Sequence, residues 1–172
     1  MEAKDTEKLV YPKALKCFKS TTRAIDVFRQ ILEPGSSQDQ TEFYRARKLL
    51  RDGEDFFKQA IKNAKRLLGP LPEYVTSDYQ KWRKDLLSQY HMLAQNEEQQ
   101  ALTKEVLQDE FLKKMMDNDE IKKYLSLNYD SQKQGQRKLA NIKVRIIFDK
   151  LNDLLSEAKE AQKKILQAKQ QS

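Results

Sequence analysis

Few residues in this chain of 172 could do covalent or metal chemistry: one cysteine, Cys17, one histidine, His91, and one dense polar run, Asp117, Asn118, Asp119 and Glu120. A catalytic nucleophile needs a base to take its proton and a third group to orient that base. Cys17 and His91 stand far apart in sequence, and Cys17 adjoins Phe18 at the edge of an apolar row. A small buried hydrophobe is the expected role for a cysteine there. A structural zinc site takes about four Cys or His ligands, and the chain has two such residues. Helical bundles can also hold metal ions with inward Glu residues and Glu-x-x-His motifs, and no Glu-x-x-His occurs. The acidic run lacks the glycine and closing glutamate of a calcium loop, so it reads as a helix cap. No glycine pattern resembles a phosphate loop. The reading is a protein that is not an enzyme, with no catalytic residues, no cofactor and no metal.

Charge and aromatic surface carry more information. Phe43, Ala46, Leu50, Gly53, Phe57, Ala60, Ala64 and Leu67 recur alternately three and four apart, which places them on one face of a helix. Arg47, Lys48, Arg51, Lys58, Lys62, Lys65 and Arg66 then fall on roughly the opposite side. Cations at helical spacing on a rigid rod can meet phosphates. The competing reading is a solvated outer face with Asp52 and Asp55 interleaved. Trp82, with Tyr79 and Tyr90 nearby, offers an aromatic anchor of the kind that dominates binding hot spots, or simply core packing.

Within the same segment, Phe43-Tyr44-Arg45 resembles the signature of the mitochondrial LYR-motif family, small three-helix proteins that serve iron-sulfur and respiratory-complex assembly. The resemblance covers three residues, with Phe in the place of the leucine and the tripeptide in the second helix rather than the first. No residue role is carried over from it.

The elements that must position these residues are helices. The hydrophobic fraction is 38%, the charged fraction 34%, and four Gly with four Pro are few for a sheet protein rich in turns. A first helix is expected from Tyr11 or Pro12 to Glu33, with Tyr11, Leu15, Phe18, Ile25, Phe28 and Leu32 as its apolar row and Pro34-Gly35 ending it. The second should open after the Ser37/Gln40 capping signal and reach Leu68, where Gly69-Pro70-Leu71-Pro72 breaks the chain. Small residues in its seam, Gly53, Ala60 and Ala64, predict a close neighbour. A third helix restarts near Ser77 with Tyr79, Trp82, Leu86, Tyr90 and Leu93, and the polar stretch Gln95 to Gln100 is expected to interrupt it. Residues 101 to 127 read as two shorter helices joined by a cap at Asp117-Asn118-Asp119, followed by a loop from Asn128 to Gly135. The last helix should span Gln136 to Ala168, with Val144 to Phe148 helical despite a strand-like composition. Its seam becomes mostly alanine, so the part beyond Glu160 is expected to project or to pair with another chain. The fold class is all-α: an antiparallel helical bundle of four long helices with short helices in the middle segment, one domain over 1–172, with 1–10 and 169–172 as flexible ends.

The formal charge of +7 is unevenly spread. Residues 41–69 hold eight basic against four acidic residues and 131–172 hold ten against four, while 70–100 hold three against five and 101–130 five against seven. The acidic middle can neutralise part of this on folding. No apolar run is long enough to cross a bilayer, no apolar signal region follows the charged start, and one cysteine excludes an internal disulfide. These features imply an intracellular protein in a reducing compartment: cytoplasm, nucleus or organelle interior. The function that remains is an interaction module, an adaptor or subunit of a larger assembly that binds a protein partner through a helix face. The alternative is binding to nucleic acid or an anionic membrane surface through the basic face of the second and last helices.

Overall fold

A computed structural model describes residues 8–35, 40–68, 97–130 and 139–171. Six helices follow in chain order: α1 Tyr11–Leu32, α2 Gln40–Leu68, α3 Glu97–Leu107, α4 Glu110–Met115, α5 Asn118–Asp130 and α6 Leu139–Gln171. There is no strand among the described residues, and the run from Val144 to Phe148 is helical. Three of the four expected long helices are α1, α2 and α6. The third, with Trp82 and His91, lies outside the described residues, as do the Ser37 cap and the break at 69–72.

The α1–α2 hairpin is the most extensive contact between described helices. Pro12 sits in the first turn of α1, where its missing N–H costs nothing. Glu33 leaves the helix in extended conformation, and Gly35 adopts φ of 83°, the left-handed region that a side chain disfavours. The chain then returns as α2. Phe28 and Phe43 meet near the turn with ring centroids 6.0 Å apart, and the Ser20 hydroxyl donates to the Leu49 carbonyl at 2.6 Å. At the far end the Asn63 amide donates to the Leu9 carbonyl at 2.7 Å. The order of these pairs makes the two helices antiparallel.

The buried row of α1 shares Ile25 and Phe28 with the expected row and is otherwise made of smaller residues. It is Val10, Ala14, Cys17, Thr21, Ala24 and Phe28, with Ile25 beside it. Tyr11 and Phe18 pack only partly buried along the edge, and Leu32 is exposed. The reason is on the partner helix. α2 presents Ala46, Gly53, Ala60 and Ala64, all buried, so the backbones draw together and only small side chains fit between them. A Cβ on Gly53 would lie 2.3 Å from Thr21 Oγ1, inside any van der Waals limit. The close approach expected from the small residues of α2 is thus present. Thr22 bonds back to the Phe18 carbonyl at 2.8 Å, satisfying its hydroxyl within the helix.

The third core helix, α6, lies against both partners. Phe148 meets Phe57 edge-on with centroids 5.7 Å apart, and Lys169 lies 4.1 Å above the Phe43 ring, so α6 runs antiparallel to α2 and alongside α1. An ion pair between Arg29 and Glu157 ties α1 to α6. From Ile142 to Leu155 α6 is covered on nearly every side, and even Arg145, Asp149 and Asn152 are buried there. Full burial of a Phe or Leu side chain contributes about 1.5 to 3 kcal/mol. The C-terminal stretch does not project: Ala158 and Ile165 are buried and Ala161 packs against the core. This corrects the expectation drawn from its alanine content. Ala158 and Ala161 there belong to the packed side of the helix, and Ala168 is exposed.

The middle segment holds three short helices where two were expected. Glu97 to Gln100 form the first turn of α3, so polarity in that stretch does not mean loop. Asp109 makes the additional break, its Oδ1 accepting from the N–H groups of Phe111 and Leu112 at 2.9 and 3.1 Å as the cap of α4. α5 continues through Asn128 to Asp130, which were expected to be loop. Tyr11 stacks on Phe111 at 4.2 Å, fastening α4 to the start of α1. Tyr124 donates to Asp153 and Lys150 to Glu120, fastening α5 to α6.

Candidate interaction surface

Of the residues singled out for covalent or metal chemistry, Cys17, Asp117 and Glu120 have structural roles in the fold. Cys17 is completely buried in the hairpin, 3.9 Å from the Thr21 hydroxyl. Burial pushes its thiol up to about 12, only partly offset by the Thr21 contact, so it is a protonated thiol and a poor nucleophile at neutral pH. His91 lies outside the described residues. Asp117 caps α5, its Oδ1 accepting from the Glu120 N–H at 2.8 Å, and Glu120 pairs with Lys150. Among the described residues no three His, Cys, Asp or Glu side chains are grouped as metal ligands would be.

The outer side of α2 is different in kind. Lys48, Arg51, Lys58, Lys62, Lys65 and Arg66 are all exposed, and among the described residues none of them makes an ion pair. Their exposure is a consequence of the seam. The buried row fixes the rotation of α2, and residues half a turn away must face outward at 100° per residue. Asp55 is the one exposed carboxylate between them, while Asp52 and Glu54 are partly covered at the flanks. Arg47 does not belong to this stripe. It is half-buried, with its guanidinium 5.6 Å from the Phe43 ring centroid. Trp82 lies outside the described residues.

Arg45, which sequence reasoning passed over as a surface cation, is exposed and held by Glu42 at 2.9 Å. Of the tripeptide Phe43-Tyr44-Arg45, Phe43 is core, Arg45 is paired, and Tyr44 projects with 60% of its surface exposed, the most of any large hydrophobic residue among those described. Lys13 and Lys16 of α1 also went unmarked. Their ammonium groups sit 5.9 and 5.7 Å from the Phe56 ring centroid, covering that partly buried ring. Their spacing of three on an α1 face was the available signal.

Among the described residues the acidic middle segment makes no ion pair with the stripe. Two of its carboxylates pair with α6: Asp109 takes Lys143 at 2.8 Å and Glu120 takes Lys150. The first of these pairs is mostly covered, with 19% and 11% of the side chains exposed. On the C-terminal half of α6, Lys159, Lys163 and Lys164 are exposed, level with the N-terminal half of α2 in the antiparallel register set by Phe57–Phe148 and Phe43–Lys169. The basic residues of the second and last helices therefore differ along the bundle. Near the start of α6 Lys143 and Lys150 are paired, and along the outer face of α2 no cation is paired among the described residues.

Compared with models of protein families, with curated proteins and with solved structures, the chain has no match.

Proposed function

We propose that this chain is a non-enzymatic helical interaction module whose contact surface is the outer face of α2, and that the partner it takes there is anionic. The observation that supports this reading is a set of six exposed cations on one rigid helix face with no ion pair among the described residues. A face of this kind attracts polyanions at long range and loses that attraction as salt screens it. Docking of a partner helix on α6, the adaptor arrangement suggested by its alanines, would need a free seam, and most of that seam is taken up: Ala158 and Ile165 are buried and Ala161 packs against the core, which leaves Ala168 exposed. An acidic protein surface within a larger assembly, a nucleic acid and an anionic bilayer all share the property that α2 can use. No helix among the described residues is long and apolar enough to cross a membrane, so any bilayer contact would be peripheral. A reducing compartment suits the free, buried Cys17 and forms part of the same proposal.

Chromatography on immobilised heparin, a generic polyanion, tests the face. The native chain should elute at high salt and the Lys58→Glu/Lys62→Glu/Lys65→Glu variant near the void, with circular dichroism showing both folded. Elution of the two at the same salt would remove this surface from consideration.

A further inference from the structure

We infer that the anionic partner is the sugar-phosphate backbone of a double-stranded nucleic acid, bound without regard to base sequence; this rests on the reading of the outer face of α2 given above. The stripe from Lys48 to Arg66 extends about 27 Å at ~1.5 Å rise per residue. It forms two columns at seven-residue spacing: Arg51, Lys58 and Lys65 in one, Lys48 and Lys62 in the other with Asp55 between them. Seven residues separate cations by roughly 10 Å along the axis, a distance that flexible lysine stems adapt to the phosphates of a duplex groove edge. The helix beneath is held rigid, because its inner side is locked against α1 at Thr21 and Gly53 and against Phe148 of α6.

The other polyanions fit this face less well. Protein interfaces concentrate aromatic residues, Met and Arg at their centre and deplete Lys. Here four of six cations are Lys, and the single aromatic, Tyr44, stands at the N-terminal end of the stripe. An interfacial membrane helix sinks an apolar face among the acyl chains, and the apolar face of α2 is already spent on α1 and α6. Single-stranded nucleic acid is held by a row of aromatic faces on which bases stack. Phe43 and Phe57 are buried, and Phe56 is capped by Lys13 and Lys16. Base readout needs amides or arginine forks aimed into a groove, and the middle of this face offers Asp55 instead. What the face does supply is positive charge at regular spacing, which binds backbone and not bases.

The test is a fluorescence-anisotropy titration of the full chain into two labelled duplexes of unrelated sequence, one of their single strands, labelled poly-glutamate, and phosphatidylserine vesicles. Proteins are the native chain, the Lys58→Glu/Lys62→Glu/Lys65→Glu variant and Asp55→Lys, each checked for fold by circular dichroism. The inference expects equal affinity for the two duplexes and weaker binding of the strand. The logarithm of affinity should fall with the logarithm of salt at a slope of about −4, corresponding to about four to five neutralised phosphates. The triple reversal should bind duplex at least 100-fold more weakly, and Asp55→Lys, which completes the second column, several-fold more tightly. Duplex binding that survives the triple reversal in a folded protein would overturn it. So would binding of poly-glutamate or vesicles but not duplex; if that binding is lost in the reversal, the anionic-partner reading of α2 stands while the duplex inference falls. Binding of none of these probes would end both.

Discussion

The two sides of α2 are specified by different physics. The inner side is specified by volume: Ala46, Gly53, Ala60 and Ala64 are buried, and a single added carbon at Gly53 would collide with Thr21 of α1. On that side Cys17 is the one group whose ionisation bears on stability, and only in alkali. The outer side is specified by charge, with six exposed cations that touch no other described charged group. Its side-chain sizes are unconstrained. The contrast teaches that one helix can carry two independent tasks, and that substitutions should separate them: inner ones change stability, outer ones change binding.

The largest effect is expected at Gly53→Leu. Overpacking a tight contact costs about 1 to 3 kcal/mol and sometimes more, and a site with no room even for Cβ should reach the top of that range by urea denaturation. Restoring space from the other helix sharpens the comparison. Gly53→Ala should destabilise alone, and adding Thr21→Ala, which removes the colliding Oγ1, should recover much of the loss because contacting residues are not additive. If Gly53→Leu proved neutral, the hairpin could not be as close as described. Ala60→Phe and Ala64→Phe come next, each at roughly 1 to 3 kcal/mol. Asp109→Ala should cost about 1 to 2 kcal/mol, because it removes both the α4 cap and the partner of Lys143.

Cys17 gives a pH-dependent prediction on the inner side. Its thiol is raised from 9.0 to about 12 by burial, so the folded state holds its proton where the unfolded state has lost it. The unfolded state then binds fewer protons, and stability must fall as pH rises from about 9 toward 12. The native chain should lose stability over that window relative to Cys17→Ala, and a thiol reagent at neutral pH should label it only after denaturation. The smallest stability effect belongs to the outer side. The Lys58→Glu/Lys62→Glu/Lys65→Glu variant should unfold within about 0.5 kcal/mol of the native chain, as exposed substitutions generally do.

Much of this contrast was legible in the sequence because both sides of α2 follow the helical period. Phe43 to Ala64 fixed the inner row, and the cations followed from it by rotation. Arg47 escaped that logic, since at the margin of the stripe its stem turns back over Phe43. The row on α1 was half legible: Ile25 and Phe28 are buried as expected, while Tyr11, Leu15 and Phe18 are only partly covered and Leu32 is exposed. In a small-residue hairpin much of the buried row is Ala14, Cys17, Thr21 and Ala24, which a search for large apolar residues passes over. Periodicity on one helix does not reveal how close its neighbour will come. The break at Asp109 was hidden for another reason: a single aspartate, without a glutamate three residues later, is weak as a cap signal until its partners Phe111, Leu112 and Lys143 are in place. The end of α6 was misjudged because alanine alone does not distinguish a tight seam from an empty one.

The most direct test of the two-sided account is the dissociation constant of the triple reversal for duplex at low salt, measured beside its urea midpoint. The account predicts binding weakened at least 100-fold with an unchanged midpoint. Native-like affinity in a variant with a native midpoint would contradict it.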